Sequence, residues 1–351
     1  MNVWMGRAII FFIAGCLGTL LAKFHIPIPF ILGGMLTAMS SKIFFAKYGF
    51  DWPRNLREIA LLAAGYGIGA SFDLTAWNNL LSQSVGILGS TFLNIFACMV
   101  LAIIIAKITK ADMESCCIGF LPGGMTVAML MCDDDEDIDP NVVMVMQILR
   151  LFSVVIFVPF LVVYLLHAQV ISTDLVMTQK SGFHWIIFLP LSVLGAVLGK
   201  KFHIPTPGLL GPTLATAIFS ISWGSVQPLP AYVMAPAQAS IGLFMGMMMD
   251  PAKIMKIKKV FVLSVLASFV ILWVSYLTAV FFANWYGFTV VTGFLAMAPG
   301  GIAEMALAGM SMGEDVSIIV SYQLIRLILL NAVMPGFVVW IFKKSREHKQ
   351  A

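Results

Sequence analysis

Twelve apolar stretches, each close to the length of a membrane-crossing helix, occupy most of this chain. They lie near residues 7–22, 28–46, 57–75, 83–106, 115–131 and 141–166, and again near 183–199, 206–224, 231–249, 260–282, 289–312 and 316–342. A helix that crosses the hydrocarbon core needs about 20 predominantly apolar residues. No polar segment between the stretches exceeds about 20 residues, too short for a second domain with its own core. Apolar residues are 60% of the 351 and charged residues only 11%, against about 45–50% and about 25% in soluble globular domains. The composition excludes a soluble enzyme, a nucleic-acid binder and a disordered regulator. It predicts an all-α polytopic membrane protein, because in lipid a helix satisfies its own backbone. The net charge of +4 is no basic patch, since the Lys and Arg residues sit in short loops.

The stretches repeat. Lys23-Phe24-His25-Ile26-Pro27-Ile28-Pro29, followed by Leu32-Gly33 and Leu36, returns as Lys201-Phe202-His203-Ile204-Pro205-Thr206-Pro207, Leu210-Gly211 and Leu214. Gly65, Gly69 and Asp73 return as Gly242, Gly246 and Asp250, Pro122-Gly123-Gly124 returns as Pro299-Gly300-Gly301, and Gln147, Arg150 and Pro159 return as Gln323, Arg326 and Pro335. Landmarks in one order at nearly constant spacing mark two fused copies. Residues 1–176 form the first membrane repeat and 177–351 the second.

The basic residues orient the copies. Lys42, Lys47, Arg54 and Arg57 load the loop between segments two and three, and Lys107 and Lys110 the loop between four and five. In the second copy the equivalent loops carry none; Lys200, Lys201, Lys253, Lys256, Lys258 and Lys259 load the alternate ones. Cytoplasmic loops carry the excess of Lys and Arg, so the copies are expected to face opposite ways. Inversion needs an odd number of crossings. Five crossings per half result if the Pro-Gly-Gly segment dips in and returns, since adjacent glycines break a helix and irregular backbone survives at membrane depth only under protein cover. Seventeen of the 21 basic residues then fall inside, with both termini cytoplasmic. Twelve crossings in parallel repeats mix basic loops across both faces and rank second. Inverted repeats with broken segments are the plan of many secondary transporters, whose solute site lies near the midplane.

Two arginines sit about ten residues inside apolar segments, Arg150 in 141–166 and Arg326 in 316–342. A charge at mid-bilayer costs about 2.5–3.5 kcal/mol on insertion scales and so faces an interior with a partner. Each follows a glutamine, Gln147 or Gln323, by three residues and therefore shares its helical face. The planar guanidinium suits carboxylate or phosphate oxygens. Substrate contact and structural pairing, with an acid or with carbonyls of a broken helix, stand level. Gly123, Gly124, Gly300 and Gly301 open the backbone to close approach, and freed N–H groups at a half-helix start favour anions. Glu304 lies three residues after Gly301, with Val127 at the matching position; it fits a fixed counter-ion or a proton carrier.

Other features read as structural. His25 and His203 fall in tight Phe-His-Ile-Pro turns, and Asp73 and Asp250 at helix ends. The run Asp133 to Asp139 reads as a solvated loop, and acid before the Arg-bearing helix recurs as Glu314 and Asp315, where it suits the helix dipole. Five cysteines in apolar stretches predict free thiols. Ile13-Ala14-Gly15-Cys16 resembles a lipoprotein cleavage box, but the repeat requires this helix to stay attached. No cofactor, metal site or catalytic residue is expected. The expected partners are the bilayer and a small solute, without nucleic acid; association of further copies stays open.

Pro299-Gly300-Gly301-Ile302-Ala303-Glu304-Met305, with Asp315 and Gln323-Leu324-Ile325-Arg326, resembles the AbrB membrane family of bacteria, and the doubled Pro-x-Pro and Leu-Gly turns resemble its duplication pattern. The resemblance covers essentially the whole chain. It implies an inner-membrane protein: a transporter, a regulator of gene expression (of aidB), or an ammonia monooxygenase. The plan is also similar, as a fold, to sodium-coupled carboxylate symporters. A secondary transporter of a small anion is the leading expectation, and a membrane-embedded regulator the alternative. Single cysteines introduced at Phe45 and at Lys256 in a cysteine-free background should both escape a membrane-impermeant maleimide added outside intact cells. Labelling of one without the other would overturn the antiparallel arrangement.

Overall fold

The computed structural model describes residues 3–44, 51–72, 82–123, 125–134, 138–168, 189–223, 226, 229–249 and 258–332. Among them every regular element is helical. The first half of the chain contributes α1 (Val3–Lys23), α2 (Pro29–Phe44), α3 (Arg54–Ala70), α4 (Ser84–Thr109), α5 (Met113–Phe120), α6 (Met125–Asp134) and α7 (Pro140–Phe160). The second contributes α8 (Leu189–Lys201), α9 (Pro207–Trp223), α10 (Ala231–Met248), α11 (Lys258–Tyr286), α12 (Val290–Met297), α13 (Ile302–Met312) and α14 (Val316–Ala332). Among the described residues, five helical stretches are long and apolar enough to cross a membrane: Trp4–Lys23, Ser84–Thr109, Pro140–Leu165, Ala231–Met248 and Lys258–Tyr286. The stretches expected at 115–131 and 289–312 are each two short helices, because Pro-Gly-Gly interrupts them.

The long helices are built for lipid. On α4 the exposed residues are large and apolar, among them Val85, Phe92, Phe96, Val100, Ile104 and Ile108. Its buried face carries Gly86, Ser90, Thr91, Asn94, Cys98 and Ala102. On α11 Val262, Leu266, Phe269, Trp273 and Trp285 are exposed, whereas Ser264, Ser268, Ser275 and Ala279 are buried. Lipid tails are as apolar as leucine, so helices in lipid associate through small and hydrogen-bonding residues rather than through burial of bulky ones.

The helices fall into two compact units. One takes α1–α3, α8–α10 and α13, with the last described turns of α7 and the first turn of α14. The other takes α4–α6, α7 up to Val155, α11, α12, and α14 from Ser321. Each unit therefore draws on both halves of the chain.

Within the first unit, equivalent glycines make equivalent contacts. A Cβ placed on Gly65 of α3 would lie 2.4 Å from the Leu209 carbonyl of α9, and one on Gly242 of α10 would lie 2.1 Å from the Ile31 carbonyl of α2. One turn further, Gly69 faces the Thr213 carbonyl and Gly246 the Met35 carbonyl, both at 2.5 Å. Backbone thus meets backbone in both pairs of helices, as small residues four apart allow.

The two histidine turns are helix caps. His25 and His203 adopt left-handed backbone, with φ of 55° and 54°. The N–H groups of His25 and Ile26 donate to the carbonyls of Ala22 and Leu21, and those of His203 and Ile204 to Lys200 and Gly199. This is the paired 5→2 and 6→1 bonding of a Schellman cap, with histidine where glycine is usual. Ile28 and Thr206 are also left-handed, at 48° and 47°, an uncommon state for β-branched residues. They set the turn into α2 and α9, each of which starts at a proline, Pro29 or Pro207.

None of the five cysteines is in a disulfide; Cys16 is exposed and the others are buried. Asp73 and Asp250 lie outside the described residues, as do residues 135–137 of the acidic run. Gly65→Ala and Gly242→Ala should each cost about 1–3 kcal/mol by overpacking, read as a lower thermal midpoint of the purified protein. Gly15→Ala meets nothing within 4 Å and should leave the midpoint unchanged.

Candidate functional site

Each interrupted helix starts conventionally and then stops early. Asp112 caps α5 by accepting a hydrogen bond from the Ser115 N–H at 2.7 Å, and Thr289 caps α12 by accepting from the Thr292 N–H at 3.0 Å. Proline lacks the N–H the next turn needs and clashes with the preceding one, and glycine adds an entropic cost to continuing. The chain bends at 121–123 and at 298–300. The same short bond closes each bend, from Gly123 N–H to the Leu121 carbonyl and from Gly300 N–H to the Ala298 carbonyl, both 2.8 Å. Carbonyls in the last turn of each half-helix are left without intrahelical donors.

In the second half these carbonyls are answered one by one. Gln323 Nε2 donates to the Leu295 and Ala298 carbonyls at 2.8 and 3.0 Å. Arg326 donates from one terminal nitrogen to the Ala298 carbonyl at 2.8 Å, and from the other to the Gly300 carbonyl at 3.0 Å and to Gln323 Oε1. Asn94 Nδ2 donates to the Met297 carbonyl at 2.9 Å and to Ser275 Oγ at 3.2 Å. The guanidinium also sits at the negative end of the α12 dipole. Asp315 caps the start of α14, accepting from the N–H groups of Ser317 and Ile318, and so helps fix the helix that carries Gln323 and Arg326.

The first half keeps the frame and loses the closure. Asp139 stands before α7 as Asp315 does before α14, accepting from the Asn141 N–H at 2.8 Å. Gln147 Nε2 reaches the Ile118 carbonyl at 3.4 Å, the counterpart of Gln323 on Leu295. Arg150, however, is 5% exposed, and its Nε and one terminal nitrogen have no hydrogen-bond partner. The sequence accounts for part of the difference. The position equivalent to Asn94 is Ile271 and the one equivalent to Ser275 is Cys98, neither a strong donor. Cys98, fully buried on α4, lies near both guanidinium groups, and the two arginines are close enough to repel each other.

The structure thus brings Gln147, Arg150, Gln323, Arg326, Gly123 and Gly300 into one unit. Gly301 closes the same interruption and is half-buried. A side chain at Gly123 would first meet Leu330 at 3.9 Å, so the first interruption leaves room beside it. Gly124 lies outside the described residues. Glu304 belongs to the other unit; it is buried on α13, where its charged neighbour is Arg57, and Arg57 itself lies 4.6 Å over the Phe244 ring. Among the described residues no three His, Cys, Asp or Glu side chains converge as metal ligands. Sequence reasoning missed Asn94. A lone amide in an otherwise apolar 26-residue helix was the available signal, because a polar group at that depth needs a partner.

Fold and site together define a helical membrane protein with interrupted helices and buried guanidinium groups. The chain belongs to the AbrB family, described as "Transition state regulatory protein AbrB", whose family model matches residues 2–127 and 30–342. It is similar to "Uncharacterized protein YhjN" of Bacillus subtilis (strain 168), 28% identical over 81% of this chain and 78% of the relative. It is also similar to "Putative regulator AbrB" of Escherichia coli (strain K12), 21% identical over 90% of this chain and 91% of that protein.

The two arginines should separate by stability. Arg326→Ala orphans buried acceptors at roughly 1–3 kcal/mol each and should lower the thermal midpoint. Arg150→Ala removes a buried charge two of whose nitrogens serve no acceptor, and should lower the midpoint less than Arg326→Ala or raise it. The reverse order would show that Arg150 is the structural cap.

Proposed function

We propose that this chain is a secondary transporter of a small anionic solute, set in the bacterial inner (cytoplasmic) membrane with both termini in the cytoplasm. One observation carries the proposal: the buried Arg150 guanidinium, with two nitrogens unpartnered beside a second buried arginine. Removing a charge from water without a partner is among the costliest acts in folding. An anion that arrives from solution supplies the missing partner and relieves the repulsion between the arginines.

In this proposal Arg150 contacts the solute directly. Arg326 holds the second interruption rigid and adds positive potential, and Gln147 steadies the first. Gly123 and Gly124 let backbone approach the anion, while Gly300 and Gly301 form the locked counterpart. Glu304, paired electrostatically with Arg57, balances or carries charge during the cycle. The copies are inverted repeats of five crossings plus one re-entrant Pro-Gly-Gly segment, and they exchange access between the two faces. The equivalent glycine contacts of α3 with α9 and of α10 with α2 support a two-fold relation between copies, and the alternating basic loops favour the inverted form of it.

The name of the Escherichia coli relative favours a second proposal, a membrane-embedded regulator of gene expression acting through a partner. It predicts a cytoplasmic protein recovered by crosslinking in cells. In proteoliposomes, the transport proposal predicts uptake of labelled small carboxylates or phosphate that falls at least tenfold with Arg150→Ala. Transport unchanged by both Arg150→Ala and Arg326→Ala would overturn it.

A further inference from the structure

The anion site described above also contains a buried acceptor that nothing in the protein satisfies. Asn94 is 2% exposed, and its Oδ1 has no hydrogen-bond partner. The orientation of the amide is not arbitrary. The Met297 carbonyl 2.9 Å away can only accept, so the nitrogen must face it. Oδ1 therefore points away from the capped carbonyl, and Ser275 Oγ, the second partner of the nitrogen, has its one O–H directed to the Ile271 carbonyl at 2.9 Å, with the Met297 carbonyl at 3.4 Å as the alternative acceptor. A buried unpaired carbonyl oxygen costs about 1–3 kcal/mol.

The orphaned acceptor and the orphaned donors belong to one unit, on α4, α7 and α14. Asn94 and Arg326 hold the consecutive carbonyls of Met297 and Ala298. Cys98, one turn along α4 from Asn94, lies near both Arg150 and Arg326. Three unpartnered donor atoms, Arg150 Nε, one Arg150 terminal nitrogen and Arg326 Nε, share this unit with the pure acceptor Asn94 Oδ1 and with the hydroxyls of Ser264 and Tyr322, which can donate or accept. A simple carboxylate or a halide answers the donors and leaves the acceptor bare. A ligand with an ammonium group would answer the acceptor but bring a third positive charge to two buried guanidiniums. A neutral hydroxyl has neither fault.

We infer that the solute is a small oxyanion that carries a hydroxyl group, its oxygens on the guanidinium of Arg150 and the Arg326 Nε–H, and its hydroxyl donating to Asn94 Oδ1. The inference rests on the anion-transport proposal and deepens it. Hydroxycarboxylates and hydrogen phosphate share this chemistry.

Calorimetric titration of the purified protein at pH 7 with two matched pairs tests it. Lactate and propionate differ by one hydroxyl; phosphate keeps a P–OH that sulfate lacks. The hydroxyl-bearing member of at least one pair should bind about tenfold or more tightly than its mate, the equivalent of one good hydrogen bond, and the pair that shows it names the source. Asn94→Ala should abolish the preference and leave the weaker ligand's affinity within about twofold, as expected for loss of a single contact. If Asn94→Ala fails to fold, the comparison on the native protein still decides. Arg150→Gln should remove binding of every ligand. Arg150-dependent binding without a hydroxyl preference in either pair overturns this inference and leaves the anion proposal standing. No Arg150-dependent binding of any of the four overturns both.

Discussion

The structure turns on what happens to backbone carbonyls when a helix is interrupted where water is scarce. An α-helix suits lipid because it satisfies its own peptide groups, and Pro-Gly-Gly cancels that advantage in mid-segment. Every carbonyl freed there needs a donor from elsewhere. At the second interruption Gln323, Arg326 and Ser275, joined by Asn94 from the first half, serve the carbonyls of Leu295, Met297, Ala298 and Gly300. The placement of α4, α11 and α14 around α12 follows from that demand.

The recurrence of Pro-Gly-Gly and Gln-x-x-Arg in the sequence makes the first half informative by contrast. Its interruption retains the bend, the helix caps and the glutamine, yet meets Ile271 and Cys98 where the second meets Asn94 and Ser275, and two Arg150 nitrogens have no partner. Folding has buried this charge without answering two of its nitrogens. The same guanidinium chemistry therefore plays two parts: Arg326 gives its donors to the protein, and Arg150 keeps its own. The two settings differ where Ile271 and Cys98 stand at the positions that match Asn94 and Ser275.

The other unit is held by different means. There, backbone packs on backbone at Gly65, Gly69, Gly242 and Gly246, and left-handed His25 and His203 end helices as glycine ordinarily would. Trp52 adds a side-chain tie, donating through Nε1 to Ser240 Oγ at 2.9 Å, and Ser240 in turn donates to the Leu56 carbonyl. Close contact of this kind leaves little freedom within each helix pair, whereas the Arg150 environment is polar and incompletely satisfied.

Much of this was legible from residue order. The apolar stretches gave helices, the Pro-Gly-Gly motifs gave their interruptions, and the doubled Gln-x-x-Arg spacing placed the buried charges, because each is a local property of a helix in lipid. What residue order withheld was partnership. It gave Arg150 and Arg326 identical prospects, grouped Glu304 with them, and passed over Asn94. Hydrogen bonds between α4, α11, α12 and α14 join residues far apart in the chain, with Asn94 and Met297 separated by 203 positions. Which donor meets which carbonyl, and which donor is left over, is decided by packing in three dimensions.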